Sequence, residues 1–188
     1  MLDAARSLFL ELGYASTTMA AVAAHAGVSV ETVYKAFKNK PGLVKAVFDV
    51  AIVGDDEPVP LIEREFVRRN IAEPDPRKKL QDYGVHLAGV SVRAGPVQLV
   101  VHDAATTDPG AAEVWGQLQA ERLMGMTAFA THLHDGGHLR DGVTLEEARD
   151  VLWTFTSVEL WDLLVNQRCW TNERFGTWVA QQLIAALL

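Results

Sequence analysis

The chain has 188 residues, 49% hydrophobic and 22% charged, enough for one domain or for a small domain joined to a larger one. That balance excludes an intrinsically disordered chain. Charges interrupt every apolar run before the roughly 20 residues of a membrane span, and no basic-then-apolar leader is read at the start. The net charge of −7 disfavours a polyanionic partner for the molecule as a whole, but the charge is uneven. Residues 1–50 hold five basic and four acidic side chains, and residues 51–188 hold twelve and twenty. Lys35, Lys38, Lys40 and Lys45 crowd into one stretch, so a polyanion is expected to approach one end only. The single cysteine, Cys169, excludes a disulfide framework and suits a reducing cytoplasm.

Apolar residues recur at three and four throughout, which predicts an all-α fold. Leu2, Ala5, Leu8, Phe9 and Leu12 share one face of a first helix, and Gly13 closes it. Thr17 or Thr18 caps a short second helix with Met19, Val22, Ala23 and Ala26 inward, ended by Gly27. Ser29 caps a third, with Val30, Val33, Tyr34 and Phe37 at helical spacing. Pro41 suits the first turn of a fourth, which carries Leu43, Val44, Val47, Phe48 and Ala51. The run 54–60 is the clearest break. Beyond it, helices are predicted near 61–72, 76–93, 96–106, 111–135, 145–168 and 172–187. The segment 145–168 is apolar nearly all round and is therefore expected to be buried on several sides.

Segment 17–37 has the layout of a helix-turn-helix: a short helix, the turn Ala26-Gly27-Val28-Ser29, then a second short helix. Gly27 supplies the unusual backbone, Val28 is expected to plug the angle between the helices, and Ser29 caps the second. Such a second helix enters the major groove with its first residues nearest the bases. The spaced positions Ala4-Ala5, Leu8-Phe9, Gly13-Tyr14, Thr17-Thr18, Val22-Ala23, Ala26-Gly27-Val28-Ser29, Thr32-Val33-Tyr34, Phe37, Lys40 and Leu43 resemble the N-terminal signature of the tetracycline-repressor-like (TetR) transcriptional regulators. The resemblance covers about residues 2–48. It implies that Thr17 or Thr18, Thr32, Tyr34 and Lys40 approach phosphates, and that Ser29, Val30, Glu31 and Lys35 face bases or flanking backbone. Two features depart from that pattern: Ala36 stands where the family usually has histidine, and the chain starts at the first helix without a basic arm.

Each candidate also has a structural reading. Tyr34 can pack beside Phe37, the lysines can form a solvated face, and Glu31 can serve its own helix terminus rather than accept from cytosine. His132, His134, Asp135 and His138 offer metal-ligand chemistry, but His132 and His134 lie about 200° apart on a helix. A helix terminus with histidines near its dipole is the preferred reading, and no metal or cofactor is expected. Cys169 has no neighbouring base, and no catalytic-triad or phosphate-loop motif is present.

Residues 1–45 are therefore expected to form the DNA-binding domain and residues 46–188 a helical effector-binding and dimerisation domain. Tyr83, His86, His102, Trp115, Met126, Phe129 and Trp153 are candidates for an effector pocket, each with core packing as its alternative. The last two helices offer more apolar surface than one domain covers, so Trp161, Leu164, Trp178 and Leu183 are assigned to a homodimer interface. The expected function is a ligand-responsive regulator, a repressor released from a palindromic operator by a hydrophobic or aromatic effector. The alternatives are a helical interaction module that does not read DNA and, third, an enzyme. The acidic remainder of the chain argues against a strongly anionic effector.

Overall fold

In the computed structural model, described for residues 1–54 and 63–188, the chain is helical, with no strand among the described residues. The elements are α1 (Leu2–Ser16), α2 (Met19–Ala26), α3 (Val30–Phe37), α4 (Lys40–Val53), α5 (Glu65–Ala72), α6 (Pro76–Ala104), α7 (Pro109–Asp135), α8 (Leu145–Phe155), α9 (Val158–Trp161) and α10 (Asn172–Leu187). A π-helical segment, Asp162–Gln167, follows α9. Packing divides the chain into two compact units, Met1–Asp56 with Arg93–Gln119, and Glu57–Val92 with Ala120–Leu188.

The first unit is built on α1 and α4. Ala5, Leu8 and Phe9 from α1 are buried with Leu43, Val44 and Val47 from α4. Leu12, expected on the same face of α1, is instead 51% exposed, one residue before Gly13 breaks the helical backbone with φ 77° and ψ 172°. All five apolar positions expected to line α4 are buried. Asn39 caps this helix by accepting from the Gly42 N–H at 2.8 Å. At its other end Arg93 donates from Nε to the Ala51 carbonyl at 3.1 Å and from a terminal nitrogen to that of Ile52 at 3.3 Å. A cation there suits the free carbonyls and the negative end of the helix dipole. Arg6 donates to the Arg93 carbonyl, so α1, α4 and the second half of α6 are tied at one residue.

Residues 76–104 form one helix, where the sequence predicts two, ending at 93 and restarting at 96. Pro96 lies inside it. An interior proline costs about 3 kcal/mol. Burial of Val97 and Val101 returns roughly 1.5–3 kcal/mol each and outweighs that cost. This continuity gives α6 the length and composition of a membrane-crossing helix over one 18-residue stretch, of which 44% is buried in the fold. Conversely, the helix predicted over 145–168 is interrupted. Thr156 donates its hydroxyl to the Leu152 carbonyl at 2.9 Å, and Ser157 starts α9 by accepting from the Leu160 N–H at 3.3 Å. A pair of side-chain caps ends one helix and begins the next within two residues.

The second unit is centred on Leu80, Leu87, Leu133, Leu152, Phe175 and Val179, all buried. Here α6 and α10 cross at Gly84 and Gly176, where a Cβ on either would run into the other's backbone carbonyl. Only glycine at both positions allows that approach. Gly176→Ala is therefore expected to destabilise the protein by about 2 kcal/mol, the cost of overpacking against backbone that has nowhere to move. Gly116→Ala, whose new Cβ meets nothing within 4 Å, gains helix propensity and is expected to stabilise by up to about 1 kcal/mol. Urea unfolding of the two variants checks both signs.

Candidate nucleic-acid interface and effector cluster

The turn between α2 and α3 is closed by backbone geometry. Gly27 sits at φ 68°, ψ 30°, a left-handed conformation that glycine adopts without strain. Its N–H reaches back to the Ala24 carbonyl, and the Val28 N–H reaches the Ala23 carbonyl at 3.0 Å. These are the paired bonds of a Schellman ending. Val28 is 36% exposed, so it does not plug the angle as expected; the paired backbone bonds hold the turn instead. Ser29 then caps α3 by accepting from the Thr32 N–H at 3.1 Å, and the two hydroxyls share a 2.9 Å bond.

The two threonines ahead of α2 have separate roles. Thr18 is the cap, accepting from the Ala21 N–H at 3.1 Å. Thr17 is fully buried and donates its hydroxyl to the Leu8 and Gly13 carbonyls. Its side chain fastens the end of α1 and is not presented to a phosphate, contrary to the expectation for that position. Lys40 is also engaged: its Nζ donates to the Tyr14 carbonyl at 2.9 Å and lies 4.2 Å from the centre of the Tyr14 ring. The tyrosine beneath it is buried beside Asp108, and burial first, then that carboxylate, pushes its phenol up to about 12.

On α3 itself only Val33 is buried. Val30 is 41% and Tyr34 49% exposed, unusual for large apolar side chains on a short helix that packs against two others. Glu31, Thr32 and Lys35 are exposed beside them, as is Lys38. Ser29, Val30, Glu31, Thr32, Tyr34 and Lys35 thus all stand on open surface. Tyr34 does not fold back onto Phe37 as a core residue would.

The residues expected to line an effector pocket fall into three places. Tyr83, Met126, Phe129 and Trp153, all half-buried, come together within the second unit. The Tyr83 hydroxyl donates to the Met126 sulfur at 3.7 Å, and its ring meets that of Phe129 edge-on at 5.1 Å. Burial pushes the Tyr83 phenol up to about 12, partly offset by the charge of Arg122. Arg122 lies over the Trp153 ring at 4.4 Å and donates to the Trp153 carbonyl and to the Thr156 hydroxyl. Desolvation lowers its own affinity for the proton. Arg122 is absent from the sequence candidates, although it stands four residues before Met126 and seven before Phe129, on the same helix face.

His86 is elsewhere, stacked on Phe66 at 3.7 Å in a groove of about 390 Å³ between α5 and α6 that Glu65, Arg69, Asp82 and Val85 also line. His102 and Trp115 pair edge-on within the first unit.

Two of the four interface candidates are core residues of their own chain. Trp161 is 5% exposed and donates its indole N–H to Asn172, and Leu183 is fully buried. The apolar excess of the last helices is absorbed inward at these positions. Trp178, half-buried between Phe155 and Trp170, and Leu164 keep partial exposure, while the neighbouring Leu163 is 49% exposed.

The histidines near the end of α7 diverge. His134 pairs with Asp135 on the exposed side at 3.1 Å. His132 is half-buried and feels the charge of Lys79, itself 1% exposed and donating to the Asn70 and Ile71 carbonyls at the end of α5. Burial, then the charges of Lys79 and His138, hold the His132 imidazole below its ordinary value, and Asp135 opposes them. A histidine held neutral in the fold contributes stability that is present above the ordinary imidazole pKa. That stability is lost as pH falls through the depressed folded value. Denaturation midpoints are therefore expected to decline below about pH 6.5, and His132→Gln to remove part of that decline.

Residues 1–47 match the model for bacterial regulatory proteins of the tetR family. The HTH-type transcriptional regulator YvkB of Bacillus subtilis is 47% identical over 47 residues, a quarter of each chain. The chain therefore matches about a quarter of that relative's length. The whole fold is similar to that of FadR from Bacillus subtilis, solved with stearoyl-CoA, at 17% identity and a TM-score of 0.75 over 100% of this chain and 97% of that one. It is similar as well to NalD, the secondary repressor of the MexAB-OprM multidrug efflux pump in Pseudomonas aeruginosa, at 19% identity and a TM-score of 0.72, covering 100% and 94%. Residues 1–47 are thus similar to the helix-turn-helix segment of the tetR family of bacterial regulatory proteins, and the whole chain shares the fold of these solved structures.

Proposed function

We propose that the protein is a cytoplasmic DNA-binding transcriptional regulator, a homodimeric repressor released from a palindromic operator by a small hydrophobic or aromatic effector. The observation that carries this reading is α3. It is a capped helix whose open face bears Val30, Tyr34 and Lys35, on a segment that matches the tetR-family model. In this reading residues 1–45 bind DNA, and residues 46–188 receive the effector and pair with a second copy. Thr18, Tyr34, Lys35 and Lys38 meet phosphates, while Ser29, Val30 and Glu31 face the groove. Lys40 steadies the end of α1 rather than reaching outward, which revises its expected role.

The effector reading rests on the cluster around Tyr83, Met126, Phe129 and Trp153. It is mainly aromatic and thioether surface with one half-buried cation, Arg122, a composition suited to a molecule with an apolar body. The neighbouring fold solved with stearoyl-CoA supports an effector of that character. Release follows from linkage: an effector that prefers the conformation with poorly spaced recognition helices lowers DNA affinity by the ratio of its two affinities.

Binding to operator fragments selected by the purified protein is expected to weaken steeply with salt, as phosphate neutralisation requires. Lys35→Ala should reduce the slope by about one ion for each protomer bound. Tyr34→Phe should weaken binding on every sequence alike, because a phosphate contact carries no base information. Variants with the parent's affinity and salt slope would contradict the docking of α3.

A further inference from the structure

The open face of α3 has an unusual chemical inventory for a helix that reads DNA. Residues 29–38 contain no Arg, Asn or Gln, so Lys35 and Lys38, toward the far end of the helix, are the only side chains there of the kinds that make bidentate bonds to guanine or adenine. The hydroxyls of Ser29 and Thr32 are bonded to each other at 2.9 Å, and the Ser29 oxygen also accepts the Thr32 N–H. Part of their hydrogen-bonding capacity is already used within the helix. Glu31 is an acceptor only and repels phosphate. What remains at the leading end of the helix is Val30, the first residue after the cap, with 41% of its surface open. A β-branched residue held on the surface of a short helix has few rotamers. It offers two methyl groups in a fixed place, with 41% of the residue's surface open.

In the major groove the apolar feature of a base pair is the C5-methyl of thymine, and apolar side chains recognise it by contact. We infer that Val30 reads a thymine methyl group, so that each operator half-site is specified at that position by apolar contact rather than by a hydrogen bond. This rests on the reading of α3 as the DNA-contacting helix and adds what that helix recognises. It also assigns Lys35, one turn further along and carrying only a point charge, to positioning rather than to bidentate guanine readout.

The test separates the two claims. Fragments selected by the purified protein from random DNA are resynthesised with each thymine in turn replaced by uracil, which deletes the methyl and leaves base pairing intact. One replacement per half-site is expected to weaken binding about fourfold, the factor that corresponds to one buried methyl group. Val30→Ala should bind the thymine and uracil forms equally, at the affinity of the parent for the uracil form. Val30→Thr keeps one methyl and should retain part of the discrimination. Val30 is exposed, and circular dichroism spectra matching the parent's are required of each variant before its affinity is compared. If the parent binds with the expected salt slope but tolerates uracil everywhere, the thymine inference is overturned and the DNA-binding function stands. Equal weakening of Val30→Ala on both forms assigns Val30 to packing and overturns it too. If no fragment is selected at all, the DNA-binding function falls and this inference with it.

Discussion

The turn between α2 and α3 holds because three consecutive residues each meet one geometric demand. Gly27 takes a left-handed backbone at no steric cost, the Val28 N–H closes the last turn of α2 onto Ala23, and Ser29 opens α3 with its hydroxyl. With the exit and entry fixed within three residues, the crossing of the two helices has little freedom. The face that α3 turns outward follows from that crossing. Val33 is directed into the core, while Val30 and Tyr34, four residues apart along the helix, keep 41% and 49% of their surface open. Two large apolar residues are left exposed on this short helix, and in the proposed function they meet DNA.

The rest of the first unit supports this turn. Thr17 spends its hydroxyl on two carbonyls at the end of α1, and Lys40 uses its ammonium on another. Arg93 caps the far end of α4 and receives Arg6 on its carbonyl. Polar side chains that a surface view assigns to DNA are here joints between helices. The charges left open for a polyanion are Lys35 and Lys38 on or next to α3.

The helix-turn-helix was legible in the sequence because its determinants are local: glycine at Gly27, a cap at Ser29, and apolar spacing within eight residues. The all-helical class and the extent of α10 followed from periodicity for the same reason. What lay beyond local reading depends on tertiary burial. Pro96 suggests an ended helix, yet the buried valines around it keep α6 continuous. Thr156 and Ser157 are ordinary residues in an apolar run, and only their hydrogen bonds divide α8 from α9. Trp161 and Leu183 read as surplus apolar surface until the fold folds them inward. Tyr83, Met126 and Phe129 were identifiable as aromatic and thioether positions, but the sequence pattern has no term for the charge of Arg122 among them.

Hydrogen–deuterium exchange on the protein with and without a selected operator fragment tests the central claim most directly, because it reports where DNA lies without altering any residue. The account predicts that DNA slows exchange across the turn and α3, from Gly27 through Lys38, and at the start of α2 beside Thr18. Slowing confined to residues beyond 120, with α3 exchanging as in the free protein, would contradict it.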